Sequence, residues 1–159
     1  MKSSRLPIIL FTLVAAFVVA GCGGGDSEAA APTVAEFEAA VGTTRDRVDF
    51  ALARITKAKS KEEFLNRMDE AAVAIDDAAT SFEDAGAAEG FEDEADTLAT
   101  SLHQLSVDLA ATAHDIRQPE FGGLVGGAQG LNFESWDNAN LALAGMIGDG
   151  LDVKLIGRH

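Results

Sequence analysis

The chain has 159 residues, 47% of them hydrophobic, with 12 Lys and Arg against 26 Asp and Glu and a formal net charge of −14. That acidity disfavours nucleic acid as a partner, because phosphate contacts need a basic face. With one cysteine there is no disulfide framework and no thiolate cluster, so the fold must rest on apolar packing.

The head of the chain has three zones. Met1 to Arg5 carries Lys2 and Arg5 and no acid, Leu6 to Ala20 is almost wholly apolar, and Val19-Ala20-Gly21-Cys22 closes the run. A basic flank before an apolar stretch of roughly 7 to 15 residues is the pattern of an export signal, and it is shorter than the about 20 residues of a transmembrane helix. An aliphatic residue and two small ones directly before a cysteine resemble the bacterial lipobox. The resemblance covers only the first 22 residues. It implies cleavage between Gly21 and Cys22, fatty acyl groups (palmitate among them) carried by Cys22 as the only non-protein group, and a lipid-anchored place on the outer face of the cell membrane, or in the outer membrane of a host that has two. Three regions are then expected: a signal peptide over 1–21, the lipidated Cys22 with a flexible tether to residue 32, and one domain over 33–159. Loss of Lys2 and Arg5 takes the basic residues from 12 to 10 against 26 acids, so −14 becomes −16. An acidic domain of this kind does not itself lie on anionic lipid, which leaves attachment to the acyl group.

Gly23 to Pro32 reads Gly-Gly-Gly-Asp-Ser-Glu-Ala-Ala-Ala-Pro, too small and polar to order itself. Thr33-Val34-Ala35-Glu36 has the form of a capping box. Val34, Phe37, Val41, Thr44, Val48, Leu52 and Ile55 then recur every three or four residues, which predicts a first helix. Ser60-Lys61-Glu62-Glu63 is a second box before the stripe Phe64, Leu65, Met68, Ala72, Ile75, Ala79 and Phe82, with Gly86 as its stop. The third helix has the strictest spacing, through Phe91, Ala95, Leu98, Leu102, Leu105, Leu109, Thr112 and Ile116, and Pro119 ends it.

Pro119 to Asn132 holds five glycines and reads as a loop, although Phe121, Leu124, Val125 and Ala128 keep the spacing of a short helix. A fourth helix is predicted over Phe133 to Ile147 with Phe133, Trp136, Asn140, Leu143 or Ala144, and Ile147 inward. Gly150 to Ile156 alternates Leu151, Val153 and Leu155 around Asp152 and Lys154, the pattern of an extended tail folded back on the helices. The expected class is all-α, an antiparallel bundle of about four helices with a short extended C-terminal tail.

Charge is segregated along the chain. Arg54, Lys57, Lys59, Lys61 and Arg67 surround the first turn, and no Lys or Arg then occurs before Arg117. Glu83, Asp84, Glu89, Glu92, Asp93, Glu94 and Asp96 surround the second turn, which antiparallel helices place at the opposite end. Glu89, Glu92, Asp93, Glu94 and Asp96 form a candidate acidic tip for a hard divalent cation or a basic-faced envelope protein. The plainer reading is solvated surface, with Glu92, Asp93 and Glu94 stabilising a helix start. No EF-hand loop is present. His103 and His114 stand about 16 Å apart along the third helix and cannot share a metal; they read as surface or boundary positions, and His159 as a terminus. Trp136, Phe133 and Phe121 could wall a small apolar pocket or simply fill the core.

The chain has no Gly-x-Ser-x-Gly elbow, no His-Glu-x-x-His helix, no Walker loop, and neither the Cys-x-x-Cys-His of covalent haem nor paired Glu-x-x-His sequences. No catalytic residue is assigned, and a hydrolase-type activity has no motif to rest on. The expected role is a non-catalytic surface interaction or accessory lipoprotein. The alternative is a lipoprotein that binds a small ligand or a divalent cation.

Overall fold

The first helix, α1 (Val34–Ile55), starts where the capping box is predicted. Thr33 accepts from the Glu36 backbone N–H at 3.3 Å, and the Glu36 carboxylate accepts from the Thr33 N–H at 2.9 Å, so two of the donors left over at a helix start are satisfied reciprocally. The second helix, α2 (Lys61–Ala85), begins on Ser60, whose hydroxyl accepts from Glu63 N–H at 3.1 Å. Here the box is altered: Glu63 reaches past the cap to the Lys59 N–H at 2.7 Å. Gly86 ends α2 at φ 73°, a conformation that penalises a side chain. The third helix, α3 (Glu92–Arg117), stops at Gln118, whose extended backbone (ψ 139°) is what a following proline imposes. The fourth is α4 (Glu134–Gly148). These descriptions come from a computed structural model, which describes residues 30–118 and 134–157. Cys22, Gly21, the 119–132 segment, Phe121, Phe133 and His159 lie outside them.

The helices pack in sequence, α1 on α2, α2 on α3 and α3 on α4. Arg54 with Glu70 and Phe37 beside Phe82 set α1 antiparallel to α2. His103 with Asp76 and Arg117 with Asp69 do the same for α2 and α3, as do Ser135 with Asp108 and Gly145 beside Glu94 for α3 and α4. The protein is an all-α antiparallel bundle. Its core is the predicted stripes with adjustments in α1 and α2. In α1, Val34 points to solvent, Leu52 is half-buried and Ala51 lies inside; in α2, Phe64 is half-buried while Ala71 and Ala78 join the core. Every position of the α3 stripe is buried.

The α4 face is corrected. Asn140 and Leu143 are buried as expected, but Ala144 faces solvent, Ile147 is 39% exposed and Trp136 only flanks the core. The inward face is Ser135, Ala139, Ala142, Leu143 and Met146, whose small residues let α4 approach α3 closely. At its end, Leu151 N–H donates to Met146 O at 3.0 Å and Gly150 N–H to Ile147 O at 3.1 Å, with Gly150 at φ 105°. This is a Schellman stop, and its two flanking apolar residues, Met146 and Leu151, are both buried.

The stop reverses the chain, and residues 151–157 run extended along the seam between α1 and α4. Leu151 is buried and Val153 packs on the core, as the alternation requires, but Leu155 is 46% exposed and Ile156 takes the inward place at 3%. An extended tail without a sheet partner is not bound to a strict two-residue period, and its inward positions are set by the side chains that hold its backbone.

Candidate functional site

The segregated charges fall at two poles, as expected. One pole gathers the start of α1, the α2–α3 turn and the end of α4: Pro32 lies beside Gly86, and Glu94 lies against Gly145. The other gathers the α1–α2 turn and the end of α3, where Arg117 meets Asp69.

At the acidic pole, α3 has no side-chain cap on Phe91, and Glu92, Asp93 and Glu94 occupy its first turn, where negative charge opposes the helix dipole. Glu92 accepts from Gly90 N–H at 2.9 Å. The Glu94 side chain is half-buried, so close under α4 that a Cβ at Gly145 would meet its Cγ at 3.2 Å. Glu89, Asp93 and Asp96 face solvent. Among the described residues no three His, Cys, Asp or Glu side chains gather as a metal-holding group. Two of the five tip carboxylates are thus engaged locally, one with a turn and one with a helix contact.

The basic pole is more ordered. Arg67 donates to the Arg54 carbonyl at the end of α1, where a cation meets the negative end of the dipole, and its other nitrogen pairs with Glu63. Arg54 pairs with Glu70 at 2.7 Å. The Lys59 backbone N–H, helped by Arg67, holds the Glu63 carboxyl below its ordinary value, and the Thr33 backbone N–H does so for Glu36. Lys57, Lys59 and Lys61 make no ion pair among the described residues. Between the poles, a shallow groove of about 260 Å³ separates α1 from α2, with Arg47, Phe50, Arg54 and Arg67 along its rim and Ala71 and Ala74 within it.

His103 lies at the boundary of α3, as expected, and there it meets two carboxylates of α2. Its Nδ1 lies 2.7 Å from the Asp76 carboxylate and its Nε2 3.4 Å from Glu83, seven residues further along α2. The bond to Asp76, seconded by Glu83, raises the imidazole pKa above its usual value. A raised folded-state pKa favours folding when the imidazole is charged, so this contribution is fully present below about pH 6.5 and is lost as pH rises through the folded pKa. A His103→Ala variant is expected to melt below the wild type at pH 5.5 and to converge with it by pH 9. The difference at low pH should stay under about 1 kcal/mol, because the three partners are partly exposed. A gap that is constant across this range, measured by thermal melts in one ionic strength, would show that the ring packs rather than pairs. His114 stands apart, contacting Gln118 at 3.2 Å.

The residues missed by sequence reasoning lie along the α1–α4 seam. The buried Asn140 accepts from Ile156 N–H at 2.8 Å and donates to Ile156 O at 3.3 Å. Glu38 accepts from Asp152 N–H at 3.0 Å, Arg45 Nε donates to Leu155 O at 3.1 Å, and Asp49 accepts from Gly157 N–H at 2.7 Å. Glu38, Arg45 and Asp49 recur at seven and four residues, a polar stripe on α1 beside its apolar one. That spacing is visible in the sequence, but nothing there names its partner. The Trp136 pocket expected with Phe121 and Phe133 involves residues outside those described. Compared with known proteins, the chain matches no family model, no curated sequence and no solved structure.

Proposed function

We propose that this protein is a membrane-anchored bacterial lipoprotein that acts as a non-catalytic interaction or accessory protein at the cell envelope. The single observation that carries the anchor is the Val19-Ala20-Gly21-Cys22 sequence behind a basic flank and an apolar run. Among the described residues no helix is long and apolar enough to cross a membrane, and the lipid on Cys22 serves as the attachment. The chain enters the bundle at the acidic pole, and α1 spans about 33 Å from there to the lysine-bearing pole. Interaction is favoured over catalysis because, among the described residues, the charged groups are dispersed over two poles and along the α1–α2 groove.

The test is the intact mass of the protein extracted from membranes. A mature chain that begins at Cys22 and carries acyl additions is expected. A chain that retains residues 1–21, or one cut elsewhere without added mass, would overturn the anchor.

A further inference from the structure

The outer face of α1 and α2 carries an aromatic ring and two charges that the single chain leaves unused. Phe50 is 67% exposed on the wall of the shallow α1–α2 groove, which Ala51, Ala71 and Ala74 line with nothing larger than a methyl group. A ring in water thus stands beside a furrow of alanines on the same face. The antiparallel helices set the groove out in three levels. At the first, Arg54 and Glu70 pair across it at 2.7 Å; at the second, Phe50 stands beside Ala74; at the third, Arg47 lies across from Asp77. This last pair is not joined. Arg47 donates only to the Ser81 hydroxyl, at 3.4 Å, and the Asp77 carboxylate has no hydrogen-bond or ion-pair partner among the described residues. Arg67, the one cation on the α2 side, is already committed to Glu63 and the Arg54 carbonyl.

A face with cations along one helix and carboxylates at the same levels on its neighbour is complementary to itself. A second copy, related by a two-fold axis that lies in the interface and runs parallel to the helices, sets α1 of each copy over α2 of the other without changing level. Arg47 then faces Asp77 of the second copy, and Arg54 and Glu70 alternate with their counterparts in a ring of four charges. Between these levels each Phe50 ring faces the alanine furrow of the other copy, an aromatic anchor opposite a hole. An axis perpendicular to the helices would instead oppose Arg47 with Arg54 and Asp77 with Glu70, like charges on both sides. The charge pattern therefore selects one of the two ways of pairing the face.

We propose that the protein forms a symmetric dimer through its α1–α2 face, with each Phe50 ring seated in the alanine groove of the other copy and Arg47 paired with Asp77 at two symmetric places. The dimer goes beyond the accessory role and does not depend on the lipid anchor. Both chain entries at Thr33 lie at one end of it, so two tethers leave on the same side. The contact is centred on Phe50, about 8 Å from the basic end of α1 and about 24 Å from its acidic start, which keeps the acidic turns at its periphery.

The test is charge reversal and exchange in the full chain, solubilised in density-matched detergent and followed by sedimentation velocity. The unaltered chain is expected to sediment as a dimer at micromolar concentration. Arg47→Asp and Asp77→Arg are each expected to weaken the dimer at least about tenfold, because each sets like charges face to face, and the two together are expected to restore it to within about threefold. Both positions are exposed, so helical circular dichroism should be unchanged in all three variants. Phe50→Ala is expected to weaken the dimer at least about tenfold as well, whereas urea unfolding of the dissociated chain does not sense a ring that is 67% exposed there. A monomeric unaltered chain, a dimer indifferent to the three single changes, or two reversals that their combination does not rescue would each overturn the proposal. The intact mass of the same sample reports the lipid on Cys22 separately, so the dimer and the anchor fail independently.

Discussion

Replacing Cys22 with serine is expected to abolish incorporation of radiolabelled palmitate and to leave the chain at its full 16.5 kDa, with residues 1–21 uncut. On the proposed lipoprotein reading the lipid is attached to the Cys22 sulfur, and a hydroxyl is a far poorer nucleophile than a thiolate for taking it up. The effect is all or none, because Cys22 is the only cysteine and no other thiol can substitute for it. Each buried methylene of an acyl chain contributes about 0.8 kcal/mol, and one chain holds a protein only marginally, so a stable anchor needs at least two. Label that persists in the serine variant would mean that the lipid is carried elsewhere and that Val19-Ala20-Gly21-Cys22 is a coincidence of composition.

Truncating Phe37 to alanine should be the most damaging of the core changes at the acidic pole. The side chain is 0% exposed, and its ring centroid lies 5.8 Å from that of Phe82 and 5.5 Å from that of Phe91. It therefore joins α1 to the end of α2 and to the residue that opens α3. Phenylalanine-to-alanine changes in cores cost about 3–5 kcal/mol, against a total of about 5–15 kcal/mol for an ordinary domain. Urea unfolding should show a lower midpoint with an unchanged slope. Phe50→Ala, at a position 67% exposed, is the control and should stay within about 0.5 kcal/mol of wild type. A Phe37→Ala loss below about 1 kcal/mol would mean that the aromatic trio does not join the three helices.

How far the fold is legible in the sequence depends on how each helix buries its face. In α3 the inward stripe is anchored by Leu98, Leu102, Leu105, Leu109 and Ile116, which recur at three, four and seven, so the pattern and the packing coincide. In α4 the buried face mixes Leu143 and Met146 with the small residues Ser135, Ala139 and Ala142. Small residues mark close approach but weigh little in a hydrophobic pattern, and Trp136 and Ile147, which weigh most, lie at its margins. The tail shows the same limit in another form: Leu155 and Ile156 are adjacent and similar, and only the Asn140 clamp decides which turns inward. The two poles were legible because an antiparallel hairpin of helices fixes which turns share an end. The His103 bridge was not, since it depends on the relative rotation and register of α2 and α3. Asp76 and Glu83 are seven apart and share a face, yet many such pairs face only water.

The strand that seals the bundle is also the part made after every helix. Its bonds to α1 join residues 108 to 114 positions apart, from Glu38 with Asp152 to Asp49 with Gly157. During synthesis α1 is complete long before its partner exists, and Glu38, Arg45 and Asp49 wait beside an open seam while α2, α3 and α4 assemble. Contacts between such distant residues are late and slow to form. The helices can therefore be in place while the seam beside α1 still waits for residues 151–157 to close it.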